Sequence, residues 1–395
     1  MHRLIQTTGV LMILLTLGAC STQTVKSTTF TPAVIDTASI PEDQLLDVGI
    51  TVFDPGLDDI DEEIAELTFA DVRQAETYYT SYHLASALQT TGNWGVVRVI
   101  PSDATSPDVL VEGTMLQSDG ETMRLNVKVS DATGRLWYSK EYEEIVSRYS
   151  YDPRLRRSED AFQGLYNKIA NDMLAWRKRN LSPQELVTIR TVSKIRFAQD
   201  FAPEVYAEYL EEDRNGRLTI KRLPAGNDPI MARIQSIRER DNLYVDTLQD
   251  YYGNFARQMA SPYTEFRRLS YDEVMKLDRL QAESRRNMIL GVAAIVGGLA
   301  ATQSSNAAAP YATYAGIGGG AWLIKEAFSS REEAQMHVET LAELGNSLEA
   351  EIAPQTIELE ERTITLSGNV QAQYEQWREL LADITDDWDA DDLDA

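Results

Sequence analysis

The chain has 395 residues, 43% of them apolar and 25% charged, an ordinary composition for a folded protein with room for two or three domains. Its 62 acidic residues outnumber 37 basic ones, for a formal net charge of −25. That balance argues against a nucleic-acid binder and against docking on anionic lipid surfaces.

Met1-His2-Arg3 forms a short basic region, and Val10 to Leu17 an apolar run too short to cross a bilayer. Together they have the pattern of a signal peptide. The run ends in Leu17-Gly18-Ala19-Cys20, which resembles the lipobox of bacterial lipoproteins. The resemblance implies cleavage before Cys20 and acylation of its thiol. Ser21 and Thr22 stand where an Asp would favour inner-membrane retention, so it also implies an outer-membrane anchor with the body in the periplasm. Cys20 is the only cysteine, so a mature, lipidated chain has no disulfide and relies on packing. Loss of Arg3 with the leader leaves 36 basic against 62 acidic residues, a formal charge of −26.

Residues 21 to about 44, rich in Thr, Ser and Pro, read as a flexible tether. Val48 to Phe53 is a short apolar strand ended by the Asp54-Pro55-Gly56 turn. Ala75, Tyr78, Tyr82, Ala85 and Leu88 recur at helical spacing and predict a helix from about Asp71 to Thr90. A strand, Trp94–Ile100, follows. Leu125, Val127 and Val129 alternate with Asn126, Lys128 and Ser130, the mark of a strand buried on one face. Turns at Ser118–Glu121 and Asp131–Gly134 join it to strands at Val109–Gln117 and Arg135–Ile145. A helix from about Glu159 to Arg179, striped by Phe162, Leu165, Ile169, Met173 and Trp176, covers the same mixed sheet.

This region, residues 45–180, resembles the periplasmic α/β domains of accessory lipoproteins of curli secretion, flagella and transport. The elements that carry the resemblance are Val48–Phe53, the Tyr78-Tyr79-Thr-Ser-Tyr82 helix, Trp94–Ile100 and the Asp131–Tyr138 hairpin.

Residues 181–351 read as helical. Ser182-Pro183-Gln184-Glu185 is a capping box with proline at the first helical position, and Asp228-Pro229 and Ser270-Tyr-Asp-Glu273 open two further helices. Ile230, Ile234, Ile237, Tyr244, Leu248, Tyr251, Phe255 and Met259 form a packing seam with a polar break at Asp241. Its partner is either another helix of this chain or a second copy. Met288–Ala301 and Ala307–Ile324 are apolar runs around the polar Thr302–Asn306, flanked by Arg285, Arg286 and Lys325, a helical-hairpin pattern. Gly291, Gly298, Gly316 and Gly320 are the candidates for close helix approach in this hairpin. The first arm is about 21 Å long at ~1.5 Å per residue, short of the ~30 Å hydrocarbon core, so a crossing is not expected: the segment is either a Gly/Ala-rich hairpin of the protein's own core or a low-complexity loop, or it contacts a membrane surface or another chain. After a helix at 330–351, Thr356–Leu359 and Thr363–Leu366 form a small hairpin. With the amphipathic Val370–Ile384 it makes a strand-strand-helix unit, residues 352–385, that resembles half of a BON domain. Asp386–Asp394 reads as a solvated acidic tail. The fold class is therefore α+β: a mixed-sheet domain, a helical region with an apolar hairpin, and a small ββα unit.

Chemistry leaves few candidates. The mature chain keeps two histidines, His83 and His337, neither with a His or Cys partner at ligand spacing, and no Walker loop, Gly-x-Ser-x-Gly elbow or zinc motif is present. The acids Asp58, Asp59, Asp61, Glu62 and Glu63 lack the glycine and spacing of a calcium loop and read as a solvated loop. No catalytic residue, metal or cofactor is assigned. Two function classes remain: a non-catalytic accessory that scaffolds an envelope assembly, with membrane, envelope proteins or a second copy as partners, and a periplasmic hydrolase or cell-wall glycan binder.

Overall fold

A computed structural model describes residues 30–36, 40–58, 68–152, 154, 159–299, 332–350, 354–359 and 362–392. Strand β1 (Val48–Thr51) leads through helix α1 (Ala70–Thr90) to β2 (Val97–Ile100), which lies parallel to it. Strand β3 (Val109–Ser118) takes the other side of β1, again parallel, and β4 (Thr122–Asp131) and β5 (Leu136–Ile145) add antiparallel, for the order β2-β1-β3-β4-β5. This is the expected mixed sheet, and with the helices beyond it the fold is α+β. The alternation in β4 holds: Leu125, Val127 and Val129 are buried, and Asn126, Lys128 and Ser130 keep solvent contact. Helices α1 and α2 (Gln163–Asn180) cover the buried face. Strand β5 runs antiparallel to α2, with Trp137 stacked on Trp176 at 4.5 Å, Lys140 paired with Asp172, and Glu144 against Gly164.

Helix α3 (Pro183–Phe201) starts on the expected capping box: the Ser182 hydroxyl accepts from the Glu185 N–H at 3.3 Å, and the Glu185 carboxylate accepts from the Ser182 N–H at 2.8 Å. A one-turn helix α4 (Pro203–Tyr206) and an unexpected hairpin, β6 (Leu210–Glu212) and β7 (Leu218–Ile220), follow. The hairpin packs on the β4–β5 turn, where the Leu218 N–H donates to the Thr133 carbonyl.

The largest departure from expectation is α5 (Pro229–Leu299), one helix of 71 residues where two are predicted. Asp228 caps its start, accepting from the N–H groups of Ile230 and Met231 at 3.0 and 3.2 Å. Ser270 caps nothing; it lies inside the helix. The reason is packing: Tyr263, Phe266 and Leu269 are buried and carry the seam past that point. The seam's partner is within the chain. Tyr78 of α1 meets Tyr252 and Phe255 at 6.3 and 6.0 Å, Tyr79 meets Tyr263 at 5.0 Å, and Phe69 meets Phe266 at 6.0 Å, so α5 runs antiparallel to α1.

Helix α6 (Glu332–Ala350) packs on α1 and α5, with Gly345 against Ala75. Strands β8 (Gln355–Leu359) and β9 (Arg362–Leu366) form the expected hairpin. Helix α7 (Val370–Asp392) runs on past Ile384 into residues expected as an acidic tail, with no Gly or Pro there to stop it. It docks on α5, Trp377 stacking on Tyr244 at 5.1 Å. All but one of the buried apolar residues from Leu46 to Ile384, Leu174 being the exception, form one cluster among the described residues. Among the described residues no helix is long and apolar enough to cross a membrane.

Candidate functional site

The most charged part of the interior lies where the start of α2, the middle of α1 and α5 meet. Arg267 of α5, 2% exposed, pairs with Asp160, 4% exposed, at 2.8 Å. Its guanidinium lies 3.7 Å from the ring centre of Tyr263 and 4.8 Å from that of Phe162, so aromatic faces take up charge that water would otherwise solvate. Its Nε and Nη2 make no hydrogen bond, and the Tyr166 hydroxyl is close enough to act on them electrostatically. Asp160 also accepts from the Tyr79 hydroxyl at 3.0 Å and from the Phe162 N–H at 2.9 Å. Burial opposes its charge, yet Arg267, His83 and these hydrogen bonds together outweigh burial and hold the carboxyl below its ordinary range.

A second pair continues the network. Arg73 of α1 lies 3.2 Å from Glu76, one turn on, and donates to the Met115 carbonyl at 3.2 Å. Glu76 accepts from the hydroxyls of Tyr263 at 2.6 Å and Ser118 at 3.0 Å. Burial raises its carboxyl despite Arg73 and Arg267. Tyr263 thus joins the pairs, its hydroxyl on Glu76 and its ring under Arg267. His83 sits 4.2 Å from the Tyr79 ring and 6.0 Å from that of Tyr166; burial lowers its basicity against the pull of Asp160. Gly120, in the β3–β4 turn, completes the closure. Its φ is +84°, and a Cβ there would stand 2.2 Å from the Arg267 carbonyl, so only glycine lets this turn seat on α5. The Tyr151 hydroxyl donates to the Gly120 carbonyl at 2.6 Å.

Two arginines face two carboxyls, and every one of these four side chains is at most 4% exposed. Such an arrangement holds helices in register; it presents no charge to a ligand.

Beside it lies a second polar device. Residues 30–36, part of the expected tether, run along α2 from its start toward its end. Asn167 donates to the Thr31 carbonyl and Asn171 to the Pro32 carbonyl, each at 2.9 Å; the Val34 N–H donates to Asn171 at 2.7 Å. Asn93 accepts from the Asp36 N–H and donates to the Val34 carbonyl, both at 2.8 Å, and Lys178 pairs with Asp36 at 2.8 Å. Each asparagine uses its amide against backbone, as an adjacent β-strand would, so an extended strap is held with no sheet to join.

Of the residues singled out from sequence, His83 borders the charged cluster and His337 lies apart from it on α6. Gly291 and Gly298 fall on α5. Leu17, Gly18, Ala19, Cys20, Gly316, Gly320 and most of the Asp58–Glu63 acids lie outside the described residues. Among the described residues no group of three or more His, Cys, Asp or Glu is placed to hold a metal. Arg267, Asp160, Glu76 and the three asparagines escape sequence reading. The one signal for Arg267 is a cation directly after the seam aromatics Tyr263 and Phe266. No protein-family model matches the chain, and neither a curated protein nor a solved structure matches it.

Proposed function

We propose that the protein is a non-catalytic lipoprotein of the outer membrane, anchored through Cys20 with its body in the periplasm, that scaffolds or stabilises an envelope assembly. The observation that carries this reading is the strap: directly downstream of the lipobox-like Leu17–Cys20, residues 30–36 are fastened to the body by Asn93, Asn167 and Asn171. Fastening residues 30–36 fixes the end of the body from which a lipid anchor pulls, which suits a scaffold. The inward-turned charges support the same reading, because the strongest ion pairs serve to rigidify.

Cys20→Ser is expected to abolish metabolic acyl labelling and to leave precursor or released protein, and the wild-type protein is expected to resist extraction by high salt, since acyl insertion is hydrophobic and unscreened. Labelling of the mutant at the wild-type level rules the anchor out. Crosslinked envelopes are expected to yield large stable complexes on affinity capture, and their absence favours the hydrolase reading. A His83→Ala, His337→Ala variant that folds is expected to support the wild-type cellular phenotype; loss of that phenotype at normal abundance restores a catalytic or metal role.

A further inference from the structure

The strap and the long helix leave the body at the same end. The strap runs parallel to α2, so the residues before Thr31 depart beyond Asn167, at the start of that helix. Helix α5 begins at the opposite end, where Arg238 donates to the Ser106 carbonyl and the Ser193 hydroxyl near the start of β3. It then passes Asp246 on Arg98, Tyr252 on Tyr78, and Tyr263 on Glu76. It reaches the β3–β4 turn at Arg267 and Tyr271, where Gly120 seats on the backbone of both. The Asp160–Arg267 pair ties the start of α2 to this turn of α5. The two exits are therefore clamped side by side.

Lengths then decide what lies beyond. Ten residues lie between Cys20 and Thr31, and whatever path they take the eleven steps reach at most about 38 Å. From Tyr271 to Leu299 the helix continues for 28 residues, about 42 Å. The leash is no longer than the arm, so a bilayer holding the Cys20 lipid is within reach of the arm's end even with the leash fully extended. That end is Met288–Leu299, twelve residues with no Asp, Glu, Lys or Arg, preceded by Arg285, Arg286 and Asn287.

We infer that Met288–Leu299 of α5 inserts into the surface of the same bilayer that carries the Cys20 lipid, so that the body stands on two feet with the β4–β5 turn and the β6–β7 hairpin pointing away from it. This rests on the anchored reading above. Twelve residues of this composition span about 18 Å, enough to enter the acyl region without crossing it.

The test uses the lipidated protein in phosphatidylethanolamine–phosphatidylglycerol vesicles. Since the lipid occupies the one native cysteine, an added cysteine reports alone: Ala293→Cys on the arm, or Asn215→Cys in the exposed turn between β6 and β7. With an environment-sensitive fluorophore, the label at 293 is expected to lose at least half of its emission to brominated lipid, and the label at 215 almost none. Full emission at 293, quenching at both positions, or a dimeric mass with 293 unquenched overturns the inference, the last by assigning the arm to a second copy. Acylation measured on the same samples separates the two claims. An acylated protein unquenched at 293 leaves the anchor standing and removes this foot; a Cys20→Ser protein that floats with vesicles and is quenched at 293 keeps the foot without the anchor. In that Cys20→Ser protein, Ile295→Glu is expected to weaken vesicle binding at least tenfold.

Discussion

Replacing Arg267 by methionine is expected to destabilise the protein by about 3–5 kcal/mol, because it leaves Asp160 ionised, buried and without its counter-charge. Methionine fills much of the same volume against Tyr263 and Phe162, so the loss reads the charge rather than a cavity. Adding Asp160→Asn is expected to recover at least half of it, since the amide oxygen still accepts from the Phe162 N–H, the amide NH2 donates to the Tyr79 hydroxyl in place of accepting from it, and the side chain no longer carries charge. The pH dependence gives the sign. In the wild type the Asp160 carboxyl is held below its ordinary value of 3.8, so its contribution is complete above that pH and is lost as pH falls through the lower folded value. Without Arg267 burial pushes the carboxyl upward, and the deficit is expected to shrink as pH falls from 7 toward 4. Urea unfolding at both pH values reads this. A loss under 1 kcal/mol at pH 7 means that the pair does not hold the helices together.

The elements of the sheet were legible because each carries a local pattern. Strand β4 alternates over Leu125–Ser130, and Ser182 and Glu185 form a cap that depends on four residues only. What escaped depends on partners distant in sequence. The pair Asp160–Arg267 spans 107 residues, and an arginine in a helix is by default a solvated one. Asn93, Asn167 and Asn171 look like ordinary polar positions until the strap lies across them. The Ser270 cap failed for the converse reason. Its local signal is correct in form, but burial of Phe266 and Leu269 against the body outweighs the roughly 1 kcal/mol that a cap contributes. The β6–β7 hairpin has a sound turn in Asn215-Gly216, with Gly216 at φ +77°, yet its strands of three residues are too short to show alternation.

Asp241→Asn is expected to stabilise the protein at pH 8 and to change little at pH 4. Asp241, read from sequence as a polar break in the seam, is 1% exposed, and the seam closes over it where α7 docks on α5. Its Oδ2 accepts from the Tyr374 hydroxyl at 3.3 Å, and its Oδ1 accepts no hydrogen bond. Burial is the dominant influence and raises the carboxyl to about 6, against the opposing pull of Arg378, the Tyr374 hydroxyl, the Trp377 indole and Arg238. Arg378 is itself engaged with Asp200 of α3 at 2.9 Å and lies over the Phe201 ring at 4.4 Å, so it cannot turn fully to Asp241. Between pH 3.8 and 6 the unfolded chain releases this proton while the folded chain keeps it, so stability falls as pH rises through that window. Above it the folded protein bears a cost on the order of 2–3 kcal/mol, at about 1.4 kcal/mol per unit of displacement. Asparagine keeps an acceptor for Tyr374 and never ionises, so the cost is absent. Thermal unfolding of both proteins at pH 4 and pH 8 measures the difference. Equal effects at the two pH values place the Asp241 carboxylate in a solvated setting and remove the link between pH and the docking of α7.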